Sequence, residues 1–266
     1  MMSASYQRDF RQAYRSKLAL KSHVSIVPQQ SNKSLIKSCA PTLYEKVSIY
    51  QGSILDDEIT AEVEAVVNPA NERLWTHDAG VCGAIFRSAG YEELQQACNA
   101  ITDKTDDSSI PTGQTVLTSA FNIKGIKWIL HTVAPCEQNK VDLESCYITV
   151  LELCVIANIR SIAFPCIGTG DAGFSKSAAC ASALRIIHRW FVEVGSVKYS
   201  DFLHRYEKKP WHHNLEMEDL KMEAEEEQLY VEHEESVADR IANVVFCCYD
   251  SENMQIYQQS IPKIFA

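Results

Sequence analysis

Val66-Val-Asn-Pro-Ala-Asn71-Glu-Arg-Leu-Trp-Thr-His-Asp-Ala-Gly80-Val-Cys-Gly-Ala-Ile-Phe-Arg-Ser-Ala-Gly90 sets the architecture of this chain. Val66 and Val67 close a buried strand, and Asn68 and Asn71 follow three residues apart. A polar loop leads to Gly80, Val81 to Phe86 read as the first turns of a helix, and residues 83–101 read as one continuous helix. A strand, a polar loop and a small-residue helix start make an anion site, because the free N–H groups of the first turn point outward and the helix dipole favours negative charge there. A second unit of the same design follows. Ser161-Ile-Ala-Phe-Pro-Cys-Ile167 is an apolar run of strand length, and Gly168-Thr-Gly-Asp-Ala-Gly173 is a loop with three glycines. Ser175 is placed to cap a helix in which Ala178, Ala181, Leu184 and Ile187 recur at helical spacing, Asp250 is placed to cap a final helix through Gln259, and Trp128–Val133 reads as a further strand. Glycines let backbone amides close on a phosphate with no Cβ in the way. Two such units predict one ligand with a diphosphate held between them. Neither loop fits the nucleoside-triphosphate P-loop or the spaced dinucleotide fingerprint, which argues against an ATPase or a Rossmann dehydrogenase.

Four motifs stand in order along the chain: Val66–Gly90, Pro111-Thr-Gly-Gln-Thr115, Ile129-Leu-His-Thr-Val-Ala-Pro135 and Ile162-Ala-Phe-Pro-Cys-Ile-Gly-Thr-Gly170. In order and spacing they resemble the macrodomain family of ADP-ribose-binding modules, and the MacroD-type branch, which removes ADP-ribose from proteins, is the most similar. The resemblance covers about residues 46–195 and the strand near Asn243–Tyr249. It implies an α/β fold of three layers, α/β/α, with a mixed central sheet of about six strands, and a ligand crevice where the two loops converge at the strand ends.

The resemblance also implies roles for particular residues. In the family the first strand ends in Gly-Asp-Ile, and its aspartate holds the adenine amine; here Gly52-Ser53-Ile54 stands in that place. The Ser53 hydroxyl is a weaker acceptor than a carboxylate. Asp56 and Asp57 nearby read as a solvated turn. Asn71 matches the asparagine that hydrogen-bonds the distal ribose, whereas Asn68 reads as a cap on the loop backbone. The family's glycine run is Thr76-His77-Asp78-Ala79-Gly80 here, one residue longer. Gly80 and Val81 keep the amides that face the distal phosphate and ribose. The aspartate that helps activate the attacking water is Cys82, whose thiol reads as a structural group. Asp78 is the loop carboxylate that takes up that catalytic role with Asn71, its alternative being a solvated acid. Gly168, Thr169, Gly170 and Gly173 match the diphosphate loop. Asp171 is expected to face solvent, since turned inward it would repel a phosphate. The aromatic that usually precedes the last glycine is Ala172, and Phe174 keeps the one that follows it, with packing on the loop as the plain reading. Tyr249 is the candidate to stack on adenine.

The whole chain has 266 residues and 46% hydrophobic side chains, ample for a single core. No apolar run reaches membrane-spanning length. Ten cysteines are scattered without a C-x-x-C pair, which predicts reduced, mostly buried thiols in an intracellular protein and neither a disulfide framework nor a zinc site. His131 reads as a satisfied core histidine and His212-His213 as a surface loop. No metal and no other cofactor are expected. The net charge is −10, yet residues 1–40 carry seven basic side chains against Asp9 alone, a net +6 that leaves −16 on the remainder. So acidic a body argues against nucleic-acid binding.

Residues 1–45 form a basic extension, read as a disordered tail, with a mitochondrial transit peptide as the alternative to a cytoplasmic or nuclear protein. Residues 46–266 form the macrodomain, with an acidic insertion at about 198–240. Eleven acids against Lys221 and Arg240 within residues 215–240 read as a mobile insertion or a solvated helix. The functional expectation is a monomer that binds ADP-ribose or ADP-ribosylated proteins and hydrolyses mono-ADP-ribosyl modifications or O-acetyl-ADP-ribose. The alternatives are a non-catalytic reader using the same crevice and a degenerate scaffold.

Overall fold

The alternation of apolar strands with amphipathic helices builds a sheet covered on both faces, as seen in the computed structural model, which describes residues 36–37, 46–76, 79–105, 107–194, 197–199, 201–202 and 236–265. The strands are β1 (Ile36–Lys37), β2 (Val47–Gln51), β3 (Ala65–Ala70), β4 (Thr115–Ser119), β5 (Trp128–Val133), β6 (Ser161–Pro165) and β7 (Asn243–Cys248). They form one mixed sheet in the order β1-β2-β7-β6-β3-β5-β4. The five central strands from β2 to β5 are mutually parallel, and β1 and β4 are antiparallel edges. The expected six strands are thus joined by a two-residue edge from within the N-terminal extension; the rest of that extension lies outside the described residues. The described residues from 36 to 265 make one compact unit.

The helices are α1 (Asp57–Thr60), α2 (Gly80–Ala89), α3 (Tyr91–Thr102), α4 (Lys140–Ile156), α5 (Lys176–Arg189), the short α6 (Val237–Arg240) and α7 (Ser251–Ile264). Because side chains alternate across a strand, each strand serves two layers. On one face Val66, Ile129, Ala163 and Val245 pack with Ile85, Phe86, Leu94 and Cys98 of α2 and α3. On the other, Phe164 and Phe246 stack at 5.7 Å and carry Tyr147 of α4 at 5.3 Å and Tyr257 of α7 at 5.0 Å. Central strands buried on both faces read as continuous apolar runs, as parallel sheets require.

Local chemistry sets the boundaries. The Ser175 side chain accepts the Ala178 N–H at 3.2 Å and Asp250 accepts the Asn253 N–H at 2.8 Å, so both anticipated caps are in place. Asn139 caps α4 in the same way. Such caps contribute about 1 kcal/mol each. The segment 83–101 was expected to form one helix but is two, because Gly90 at φ +98° breaks it and lies where a Cβ would press on Asn122 and Glu93. β3 was expected to stop at Val67 but runs to Ala70. Beyond Val66 it pairs with β5 alone, so Pro69 sits where one neighbour is absent, a position that tolerates its missing N–H. The ends of the acidic insertion are tied by a bridge between Lys198 and Ser236, and the Arg240 guanidinium lies 3.6 Å over the Tyr199 ring. Residues 203–235, with most of the acids and His212-His213, lie outside the described residues.

Candidate functional site

β3 and β6 are neighbours, yet the chain leaves β3 toward the β5–β4 edge and leaves β6 toward β7. This is a topological switch point, where open α/β sheets place their ligands. The two strands pair only at Ala65 and Val66, so their C-terminal ends part. The loops after both strands open at this cleft.

The loop after β3 is built by Asn71. Its Oδ1 accepts the N–H groups of Arg73 at 3.1 Å and Trp75 at 3.0 Å, and its Nδ2 donates to the Trp75 carbonyl at 2.7 Å. Leu74, at φ +55°, drives its side chain into the core and holds the turn down. Trp75 is left 53% exposed with the Arg73 guanidinium 5.3 Å from its ring. The side chain expected to cap this loop, Asn68, does something else. It is fully buried in β3, with its amide nitrogen 3.0 Å from His131 Nδ1. With that nitrogen donating, the His131 Nε2–H donates to Thr118 Oγ1 at 2.8 Å. The core role read for His131 holds, and burial lowers its pKa to about 3, keeping it neutral. The roles assigned to Asn68 therefore require correction: a strand-end asparagine was read as a cap, and β3 instead continues past it and buries it against the register partner His131.

Gly80, at φ +58°, opens α2. Ala79 provides no side-chain cap, so the Gly80 and Val81 amides at the start of α2 have no protein acceptor among the described residues. Cys82 is half-buried in the same turn and packs against the core, in keeping with its structural reading. Asp78 lies outside the described residues.

The loop after β6 is built by its backbone. Gly168 and Gly173 adopt φ +88° and +70°. The Gly173 N–H bonds the Gly170 carbonyl at 2.9 Å, and the Phe174 N–H bonds the Gly168 carbonyl at 3.1 Å. The Thr169 hydroxyl donates to the Cys166 carbonyl at 2.8 Å, and Gln138 donates to the Gly173 carbonyl at 2.8 Å. Gly168, Gly170, Asp171 and Ala172 are left with amides that no acceptor among the described residues takes. Phe174 is buried and its ring packs beneath Gly168. Asp171 is exposed, as expected, and Ala172 half-buried.

At the β2 end, Ser53 and Ile54 follow Gly52, whose N–H bonds the Cys248 carbonyl at 3.1 Å. This brings Tyr249, 83% exposed, beside Ser53 across the sheet edge. The Ser53 hydroxyl accepts the Leu55 N–H. Asp56, read as part of a solvated turn, instead organises this corner: its Oδ2 takes the Tyr50 hydroxyl at 2.8 Å and the Ser53 N–H at 3.1 Å. Burial first, and Asp56 after it, push the Tyr50 hydroxyl far up. A Cβ on Gly52 would collide with both Tyr50 and Asp56. The sequence signal for this corner is Tyr50-x-Gly52-x-x-x-Asp56, in which a glycine makes room for a tyrosine–carboxylate bond.

A separate open cavity of about 510 Å³ lies between α5 and α7, lined by Arg185, His188 and Lys263 with Ala181, Ser260 and Ile264. His188 and Lys263 sit in the last turns of their helices, where the dipole favours cations, and none of the loop amides reaches this cavity. Among the described residues no cluster of three or more His, Cys, Asp or Glu is placed to hold a metal, and no helix is long and apolar enough to cross a membrane.

Comparison with known proteins agrees with this geometry. Residues 67–183 match the Macro domain family model. The chain is 34% identical to human ADP-ribose glycohydrolase MACROD2 over 74% of its own length and 48% of the relative's. It is 35% identical to a macro domain-containing protein of Caldanaerobacter subterraneus, over 60% of its own length and 88% of that protein. It spans about half or less of the MacroD-type relatives it matches. In fold it is similar to the Trypanosoma brucei macrodomain solved with ADP-ribose, with a TM-score of 0.56 and 22% identity, over 82% of this chain and 70% of that one. By sequence and by fold, then, the chain belongs to the macro domain family.

Proposed function

We propose that the chain binds ADP-ribose along the C-terminal ends of four parallel strands and hydrolyses mono-ADP-ribosyl modifications or O-acetyl-ADP-ribose. One observation carries the binding: the candidate contacts fall along one sheet edge in the order of the ligand. Ser53 and Tyr249 follow β2 and β7, the open amides of Gly168, Gly170, Asp171 and Ala172 follow β6, and Asn71 and Gly80 follow β3. At about 4.8 Å per strand, the three steps span about 14 Å. Adenine sits between Tyr249 and the Ser53 corner. The diphosphate takes the loop amides and the start of α2, which hold it against the overall negative charge of the protein. Asn71 meets the distal ribose.

Hydrolysis places a water at the anomeric carbon of that ribose, where the bond to the modified side chain breaks, or at the ester carbon of an acetyl group. Asp78 or a ligand phosphate oxygen assists the water. The names of the MacroD-type relatives support this reading. The reader alternative rests on Cys82, a half-buried thiol in the first turn of α2 where the family resemblance implies a carboxylate; losing a base costs rate more than affinity. Incubation of the full chain with a protein carrying labelled mono-ADP-ribose on carboxylate side chains decides between them. Hydrolysis releases the label as free ADP-ribose; retention of the label with tight binding identifies a reader; neither binding nor release ends both readings.

A further inference from the structure

The parallel register of β6 on β7 ends with Pro165 opposite Cys247. One step further sets Cys166 beside Cys248, and their sulfurs lie 3.9 Å apart. Neighbouring parallel strands are about 4.8 Å apart, inside the roughly 4.4–6.8 Å Cα separation that a disulfide spans. The two thiols are unequal. Cys166 is half-buried at the base of the Gly168–Gly173 loop, within reach of a small solute, while Cys248 is buried. The hydrogen bond with Cys166 and then burial push the Cys248 thiol far up, so it stays protonated. Cys166 also holds the loop, because its carbonyl takes both the Thr169 hydroxyl and, at 3.4 Å, the Thr169 N–H.

We propose that Cys166 and Cys248 are an oxidisable pair, converted by a hydroperoxide to a disulfide that displaces the Gly168–Gly173 loop and weakens binding of the diphosphate. The second half of this statement rests on the ADP-ribose reading above. In the first step the Cys166 thiolate attacks the peroxide, the O–O bond breaks and hydroxide leaves to become water. The sulfur, oxidised by two electrons, becomes a sulfenic acid. In the second step the Cys248 sulfur attacks the Cys166 sulfur, the S–S bond forms, the S–O bond breaks, and water leaves with the Cys248 proton. Two thiols and one hydrogen peroxide give one disulfide and two waters. Bringing sulfurs from 3.9 Å to bonding distance, about 2.05 Å, pulls on the carbonyl that anchors Thr169.

The test uses the full chain, reduced and then exposed to hydrogen peroxide. Non-reducing peptide mapping is expected to show a Cys166–Cys248 cross-link, with the linked peptide pair lighter by two hydrogens than the two reduced peptides together. The Kd for ADP-ribose is expected to rise at least about tenfold and to be restored by dithiothreitol. Cys248→Ser removes the resolving thiol, so the same treatment leaves Cys166 labelled by dimedone with no cross-link. A map without that cross-link, under conditions that fully oxidise the exposed Cys136, overturns the pairing. A cross-linked protein that binds as tightly as the reduced one overturns the control of affinity. Failure of the reduced protein to bind ADP-ribose overturns the ligand reading and the affinity half together, and the map still decides the thiol chemistry.

Discussion

The two loops that meet at the cleft hold their backbones open by opposite means. After β3, one side chain does it: Asn71 ties Arg73 and Trp75 into a turn that contains no glycine before Gly80. After β6, the backbone does it: two glycines at positive φ fold the loop on itself over Phe174. In the first loop, the group that builds the loop is also the group proposed to meet the ribose, so a substitution there strikes order and recognition together. In the second, the amides proposed to face the ligand are held by conformation, with no side-chain hydrogen bond from Asp171 or Ala172 needed to hold them.

The largest effect is expected at Asn71. Asn71→Ala removes three hydrogen bonds from the loop as well as the ribose contact, and ADP-ribose affinity should fall about 100-fold, or 2–3 kcal/mol. Limited proteolysis should then cut within 71–79 and spare 166–175. Equal cleavage of both loops would break the distinction between them.

Acid should attack the same side. His131 is neutral in the fold at a pKa of about 3, whereas the unfolded chain takes up a proton near 6.5. Its contribution is therefore fully present above about pH 6.5 and declines as pH falls toward 3, costing on the order of 2 kcal/mol by pH 5. Urea midpoints measured from pH 7 to 5 check this, and His131→Gln should flatten the profile.

On the glycine side the expected effects are smaller and position-specific. Gly168→Val forces a β-branched residue into φ +88°, with its Cβ 3.1 Å from Phe174. About 1–2 kcal/mol of strain should lower Tm by roughly 3–6 °C. Gly170→Ala has open space around the new Cβ and should leave Tm within about 1 °C. Equal losses at the two glycines would show that the loop is not held by the conformation of Gly168.

Much of this was legible in the residues, because caps and buried strands are local. Ser175 and Asp250 announced their helices, and the apolar runs at Trp128–Val133 and Asn243–Cys248 announced central strands. The tight loop after β6 was legible through its glycines. What escaped depends on neighbours distant in sequence. Asn68 looked like a loop cap until β5 set His131 beside it, 63 residues away. Val67 looked like the end of a strand, since the parting of β3 from β6, which leaves room for Pro69, is a property of the sheet. Asp56 looked solvated because nothing local shows the Tyr50 ring folding over Gly52 to reach it. Gly90 was absorbed into a helical pattern that runs on both sides of it.

Calorimetric titration of the full chain with ADP-ribose, with Asn71→Ala beside it, tests the central claim most directly. Binding in the micromolar range, roughly −8 kcal/mol, and about 100-fold weaker in the variant, is the result this account predicts. An absence of heat and of thermal shift at millimolar ADP-ribose would contradict it, leaving a macrodomain fold whose cleft does not take this ligand.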